Sequence, residues 1–256
     1  MARNNWTREE TILAFELYCR TPFGKIHSHN TEIIELSKLL ERTPSAVSMK
    51  MCNLASYDPE LRKRGVSGLA NGSKLESQIW QEFQNDWEAL AFESKAILAS
   101  IENKVIEIVA NIDLDNLPPG KDKSSVVKQR IGQNFFRSAV LNAYESRCCI
   151  TGISMETLLI ASHIKPWKHS DVKTERTNPT NGLCLNALHD KAFDQGLITI
   201  NKKFEIMVSH VLKNDYIDEQ TKNWIVNFEG KHIETPHKFL PDGRFIEYHN
   251  DAVFRG

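Results

Sequence analysis

Residues 148–200 read CCITGISMETLLIASHIKPWKHSDVKTERTNPTNGLCLNALHDKAFDQGLITI, and this stretch decides the fold. Two short runs of β-like character, one carrying His163 and one reading GLCLN, bracket a long loop. Leu188 to Asp194 then reads as a short helix bearing His189, Asp190 and Asp194. The two aspartates are four apart and so share one helix face. Asn181 precedes Gly182 in a turn, where glycine permits the backbone that other residues resist. After Gly196, LITINKKFEIMVS reads as a hairpin with Asn201, Lys202 and Lys203 as its turn.

Upstream of this stretch, residues 126–146 have the pattern of a basic amphipathic helix. Ile131, Phe135, Phe136, Val140, Leu141 and Tyr144 lie on one side, with Arg130, Arg137 and Arg147 elsewhere. Residues 111–125, with Leu117-Pro118-Pro119-Gly120 and alternating charges, read as a linker. The first 110 residues read mainly as helices. Thr7 and Glu10 form a capping-box pattern before Ile12, Leu13, Phe15 and Leu17. Residues 31–40 carry Ile33, Ile34, Leu36, Leu39 and Leu40 at helical spacing. Thr43 can cap the next helix with Pro44 at its first position, and Ala46, Val47, Met49 and Leu54 form its apolar side. The stripe Trp80, Phe83, Trp87, Leu90 and Ile97 reads as core.

Two short helices joined by a tight turn have the outline of a helix-turn-helix, in which Ser45, Ser48 and Lys50 would face a DNA groove. Two packed helices of any small bundle give the same spacing. The glycine-rich run from residue 64 to residue 73 is a loop and not a phosphate-cradling P-loop, because no Gly-Lys-Ser/Thr follows a strand.

The 256 residues are 41% apolar and 25% charged, which is globular material for one large domain or two small ones. No run of eighteen apolar residues occurs, which excludes a membrane-spanning helix on hydropathy. The start MARNNWTREE lacks an apolar signal region, so a cytoplasmic protein is expected. Five cysteines, two of them adjacent, argue against a secreted disulfide framework. The net charge of −1 is not that of a typical nucleic-acid binder, but basic residues gather locally. Residues 121–147 hold six of them against Asp122 and Glu145, and Arg62, Lys63 and Arg64 form a second group. Arg62, Lys63, Arg64, Arg130 and Arg137 are candidate phosphate contacts.

The run SHIKPW, followed by NGLCLNALHDKAFDQGLI, resembles the HNH endonucleases over some fifty residues, in particular the branch whose members read roughly "AHI.PW…NGLCLN.LHD.AFD.GLI". The resemblance implies an α+β protein, with a mainly helical N-terminal domain (1–110), a linker (111–125) and a ββα-metal nuclease domain (126–256). It implies His163 as general base, with Pro166 and Trp167 fixing the strand exit behind it. A neutral histidine suits that role because its pKa lies near working pH. Asn181 would brace the loop through its carbonyl, with Asn178 and Asn186 as lesser alternatives. His189 would be the chief ligand of Mg²⁺, or of Mn²⁺ or another divalent ion, with Asp194 and Asp190 beside it. Many members place an acid directly before the base histidine, whereas this chain has Ser162. Family members often hold a structural zinc with two Cys-x-x-Cys pairs. Cys148, Cys149 and Cys184 lack that spacing, so no structural zinc is expected.

The run "WTREE…LYCRTPFGKIH…RTPSAV.MK..NLAS.DP" is similar to a region attached to HNH domains in restriction endonucleases. The expected activity is metal-dependent cleavage of double-stranded DNA in restriction or defence, a class that includes enzymes dependent on modified bases. A homodimer would bring two active sites to a duplex. Two other readings stay open: a catalytically idle DNA-binding regulator that retains the fold, and a nuclease acting on RNA.

Overall fold

The computed structural model describes residues 5–63, 65, 73–113, 122–213 and 217–256. Its helices are α1 (Arg8–Arg20), α2 (Thr31–Leu39), α3 (Pro44–Ala55), α4 (Pro59–Lys63), α5 (Lys74–Phe83), α6 (Trp87–Glu102), α7 (Ile106–Val109) and α8 (Lys123–Ala143). Then come β1 (Leu159–His163), β2 (Gly182–Asn186), α9 (Ala187–Asp194), β3 (Ile198–Ile200), β4 (Ile206–Val208), α10 (Glu219–Trp224) and α11 (Gly243–Ala252). Two compact units result, Met1–Ala139 and Val140–Gly256. No helix among the described residues is long and apolar enough to cross a membrane.

In the first unit α1 is the central helix. Thr7 and Glu10 close a capping box at its start, and Ile12, Leu13, Phe15, Leu17 and Tyr18 are buried. Phe15 packs on Trp80 at 4.9 Å between ring centroids, and Trp87 stacks on Phe135 at 6.2 Å. The aromatic stripe is therefore core. Thr43 caps α3 by accepting from the Ala46 N–H, with Pro44 at the first helical position.

The boundary between the units falls inside α8 and not in residues 111–125. The first turns of α8 bury Val127, Ile131 and Phe135 within the helical unit. Lys128 meets Glu88 at 3.3 Å, and Arg130 donates to the Asp113 carbonyl at 2.8 Å. A helix with that much apolar side chain packed on its neighbours cannot behave as the start of a separate domain.

The burial of α3 corrects one expectation. Lys50 does not face outward. It is 6% exposed and ion-paired with Glu76, itself 1% exposed. Val47, Lys50, Met51 and Leu54 follow the i, i+3, i+4, i+7 pattern of one helix face, so Lys50 turns inward with them. Met49, expected on the apolar side, is 53% exposed.

In the second unit β1 and β2 pair antiparallel, with Leu159 opposite Asn186 and His163 opposite Gly182. β2 runs directly into α9, because Asn186 caps that helix by accepting from the Leu188 and His189 N–H groups. β3 and β4 form the expected hairpin. Asn201 Oδ1 accepts from the Lys203 and Glu205 amides, and Phe204 takes the left-handed backbone at φ 62°. Ile198, Ile200, Ile206 and Val208 are buried, and α11 packs on β3.

Candidate active site

His163 is the last residue of β1. Its Nε2 lies 2.8 Å from the Arg176 carbonyl. A carbonyl only accepts, so Nε2 carries the proton in the neutral ring and Nδ1 carries the lone pair. Burial pushes the ring below the usual histidine range, and the Arg176 carbonyl opposes that shift in part. The Trp167 ring stands edge-on to His163 at 5.4 Å, and the Arg176 guanidinium lies 5.2 Å over Trp167. The chain leaves β1 through Pro166 and Trp167, so the ring that shapes the strand exit also walls the histidine.

Asn181 is fully buried. Its Oδ1 accepts from the Lys165 N–H at 2.8 Å. Its Nδ2 lies 3.2 Å from the Lys165 carbonyl, 3.3 Å from Ser170 Oγ and 3.3 Å from the Glu175 carbonyl. Its own carbonyl accepts from the Ile164 N–H at 2.9 Å. The side chain thus ties Lys165 to the far side of the loop, and the backbone of the same residue holds Ile164. Asn178 and Asn186 have local duties instead, capping a short turn at residues 179–181 and α9 respectively.

The three candidate ligands on α9 are not brought together. His189 is 1% exposed, with Nδ1 3.1 Å from Asn186 Oδ1 and its ring edge-on to Phe228 at 5.5 Å. Nε2 is buried toward the Trp224 backbone, short of normal hydrogen-bond geometry. Burial lowers the pKa of this ring as well. Consecutive helix positions point about 100° apart, so a His189 turned into the core leaves Asp190 and Asp194 on another face. Asp190 is half-buried and Asp194 exposed.

Loss of part of their water to the surrounding chain raises both carboxyls above their usual range, at the exposed Asp194 as well as at Asp190, and the charge of Asp190 raises Asp194 further. The hydroxyl of Ser162 stands beside Asp190 and lowers it, and Lys191 lowers both. Ser162 is buried, and its Oγ makes no hydrogen bond of normal geometry. Two oxygen donors that repel one another and ionise uphill suit a hard divalent cation. No group of three His, Cys, Asp or Glu side chains gathers as a metal shell among the described residues.

Cys148, Cys149 and Cys184 form no disulfide and are buried. Burial, reinforced by the neighbouring Cys148 and Cys184, pushes the Cys149 thiol well up, which favours packing over metal ligation.

Of the candidate DNA contacts, Ser45 is exposed and Ser48 half-buried, with Ser48 Oγ donating to the Ser45 carbonyl. Lys50 is buried, as described. Arg62 is exposed and donates to the Ser56 carbonyl, and Lys63 is exposed and paired with Glu60. Arg130 is half-buried against Asp113, and Arg137 is exposed. Arg64 lies outside the described residues.

The sequence reading passed over the loop side chains around His163. Lys165 Nζ pairs with Glu175 at 2.5 Å and lies 5.1 Å over the Tyr248 ring. Lys168 and Lys173 are exposed on the same loop. Their signal was the cluster of four cations between residues 165 and 176. Arg176 acts on His163 through its backbone, which no residue type announces. No curated protein is matched by the chain. Residues 148–201, which hold His163, Asn181 and both carboxylates of α9, match the family model described as HNH endonuclease, so the candidate site lies within the segment similar to that family.

Proposed function

We propose that this protein is a divalent-metal-dependent endonuclease that hydrolyses phosphodiester bonds in double-stranded DNA, in restriction or defence. The observation that carries the reading is His163, held as a neutral base by the Arg176 carbonyl one residue beyond Ser162, which adjoins the Asp190 carboxylate. The second unit is read as a ββα-metal finger, formed by β1, β2 and α9.

In this reading His163 Nδ1 takes the proton from the attacking water, and the Arg176 carbonyl steadies the imidazolium that forms. Asn181 keeps the strand exit, and with it the ring, in one orientation. Asp190 and Asp194 would hold a Mg²⁺ or Mn²⁺ ion, which would supply Lewis-acid stabilisation of charge on the phosphate and the leaving oxygen. Lys168 and Lys173 face the phosphate backbone. The helical unit adds DNA contacts through α3 and Arg62. A double-strand break by single sites calls for two copies acting together.

A second reading has two observations in its favour. Ser162 stands where many HNH sequences have an acid, and among the described residues only two carboxylates gather, which suits a DNA-binding regulator that keeps the fold without cutting.

Plasmid cleavage by the wild type and His163→Ala separates these. The wild type should cut with added Mg²⁺ or Mn²⁺ and stop in excess chelator. His163→Ala should bind DNA with nearly unchanged affinity and lose roughly 10²-fold or more in rate. Because His163 titrates below its ordinary value near 6.5, the wild-type rate should hold to slightly acid pH and fall below it. Equal cutting by His163→Ala, or cutting in excess chelator, would refute the proposal. Binding without cutting under every metal would favour the regulator.

A further inference from the structure

α9 has eight residues, too few for a stable isolated helix, and Asp194 is its last residue, where fraying is greatest. The hold on that turn comes from residues beyond the segment matched by the family model. His249, on α11, is 1% exposed. Its Nε2 lies 3.2 Å from the Phe193 carbonyl, its Nδ1 lies 2.8 Å from Thr199 Oγ1, and its ring stacks on Phe193 at 3.7 Å and 17°. The Phe193 carbonyl belongs to the peptide plane that leads into Asp194. It also accepts from the Gly196 N–H at 2.8 Å, so both of its lone pairs are engaged.

The chain after α11 closes the other side. The Arg255 N–H donates to the Gly196 carbonyl at 3.0 Å. Gly196 has φ +67°, and a Cβ there would lie 2.0 Å from the Val253 carbonyl oxygen. Only glycine allows both that backbone and that approach. Asn250 Nδ2 adds a bond to the Ile200 carbonyl at 3.2 Å, which fixes α11 to β3.

We propose that His249 is a positioning residue for the Asp190 and Asp194 pair, acting through the Phe193–Asp194 peptide plane. A phenylalanine would fill the same space against Phe193. The ring nitrogens of His249 instead fix the rotation of the last turn, and with it the separation of the two carboxylates. Outer contacts of this kind commonly set the affinity of a cation site. The inference rests on the metal-dependent reading given above.

The test uses full-length protein. Mn²⁺ binding without DNA is followed by electron paramagnetic resonance, alongside the Mg²⁺ concentration for half-maximal plasmid cleavage. His249→Phe keeps the stacking and removes both polar contacts, whereas His249→Gln restores a donor. His249→Phe should weaken both readouts by roughly tenfold, with most of the loss recovered in His249→Gln. Cleavage at saturating metal should change by less than about twofold. Unchanged Mn²⁺ affinity in His249→Phe, or lost cleavage that excess metal does not restore, overturns the proposal. Should His249→Phe not fold, Thr199→Val, which removes the partner of Nδ1, must shift Mn²⁺ affinity in the same direction. No shift there overturns it equally. A wild type that binds Mn²⁺ but cuts nothing refutes the nuclease reading alone, and the Mn²⁺ comparison still decides the role of His249. A wild type without Mn²⁺ affinity ends both.

Discussion

Acid should loosen the second unit through His249 before it affects the helical unit. Burial holds His249 neutral, down to a pKa of about 4, although its contact with the Phe193 carbonyl pulls the other way. In the unfolded chain the ring titrates near 6.5. The folded value is the lower one, so the stabilisation is fully present above about 6.5 and is lost as pH falls toward about 4. That interval is about 2.5 pH units, at about 1.4 kcal/mol each, so the unit should lose about 3 kcal/mol through this ring. A loss of that size is a large part of the stability of a typical small domain.

His163 and His189 are also shifted down by burial and add in the same direction. Asp190 and Asp194 are shifted up, so their protonation opposes the loss, but only at the acid end of the range. The assay is urea unfolding at several pH values between about 7.5 and about 5, where the histidines rather than the carboxylates titrate. The methionine methyl resonances separate the units, because Met155 and Met207 belong to the second and Met51 to the first. Wild type and His249→Gln should differ most at neutral pH, and their free-energy curves should converge as pH falls. Parallel curves for the two proteins would refute the reasoning.

Two further outcomes follow from buried polar partners. Lys50→Met should leave DNA affinity and its salt dependence unchanged, yet cost roughly 3–5 kcal/mol, because the Glu76 carboxylate stays buried without its cation. A loss of DNA binding without loss of stability, in salt titrations and melts, would restore Lys50 to the DNA surface. Asn181→Ala should destabilise the second unit by roughly 2–4 kcal/mol, since the Lys165 N–H and the Glu175 carbonyl lose a buried partner. Hydrogen exchange should show the Lys165 amide unprotected. Full protection there would mean that another group replaces the asparagine.

Much of the local structure was legible in the residues themselves. The Thr7 and Glu10 box, Thr43 with Pro44, the α9 run and the Asn201 turn each depend on groups within four positions of one another. Chain connectivity alone brings such groups together, so their spacing is enough. The position of Asn181 before Gly182 was legible in the same way, though its four-point hold on the loop was not.

Tertiary structure decided the rest. Whether Lys50 faces solvent depended on Glu76, which lies 26 positions away and packs against it only once α5 is docked. The direction of His189 depended on Phe228 closing over it, which left the carboxylates of α9 on a different face. The tautomer of His163 depended on a backbone carbonyl at residue 176, and the end of α9 on His249, 56 positions from Phe193. Side-chain direction and the partner of a buried charge are set by groups distant in sequence, whose approach depends on the packing of the whole unit. Helical period and cap chemistry act within one turn, and so the sequence alone determined the elements while the fold decided which of their residues meet.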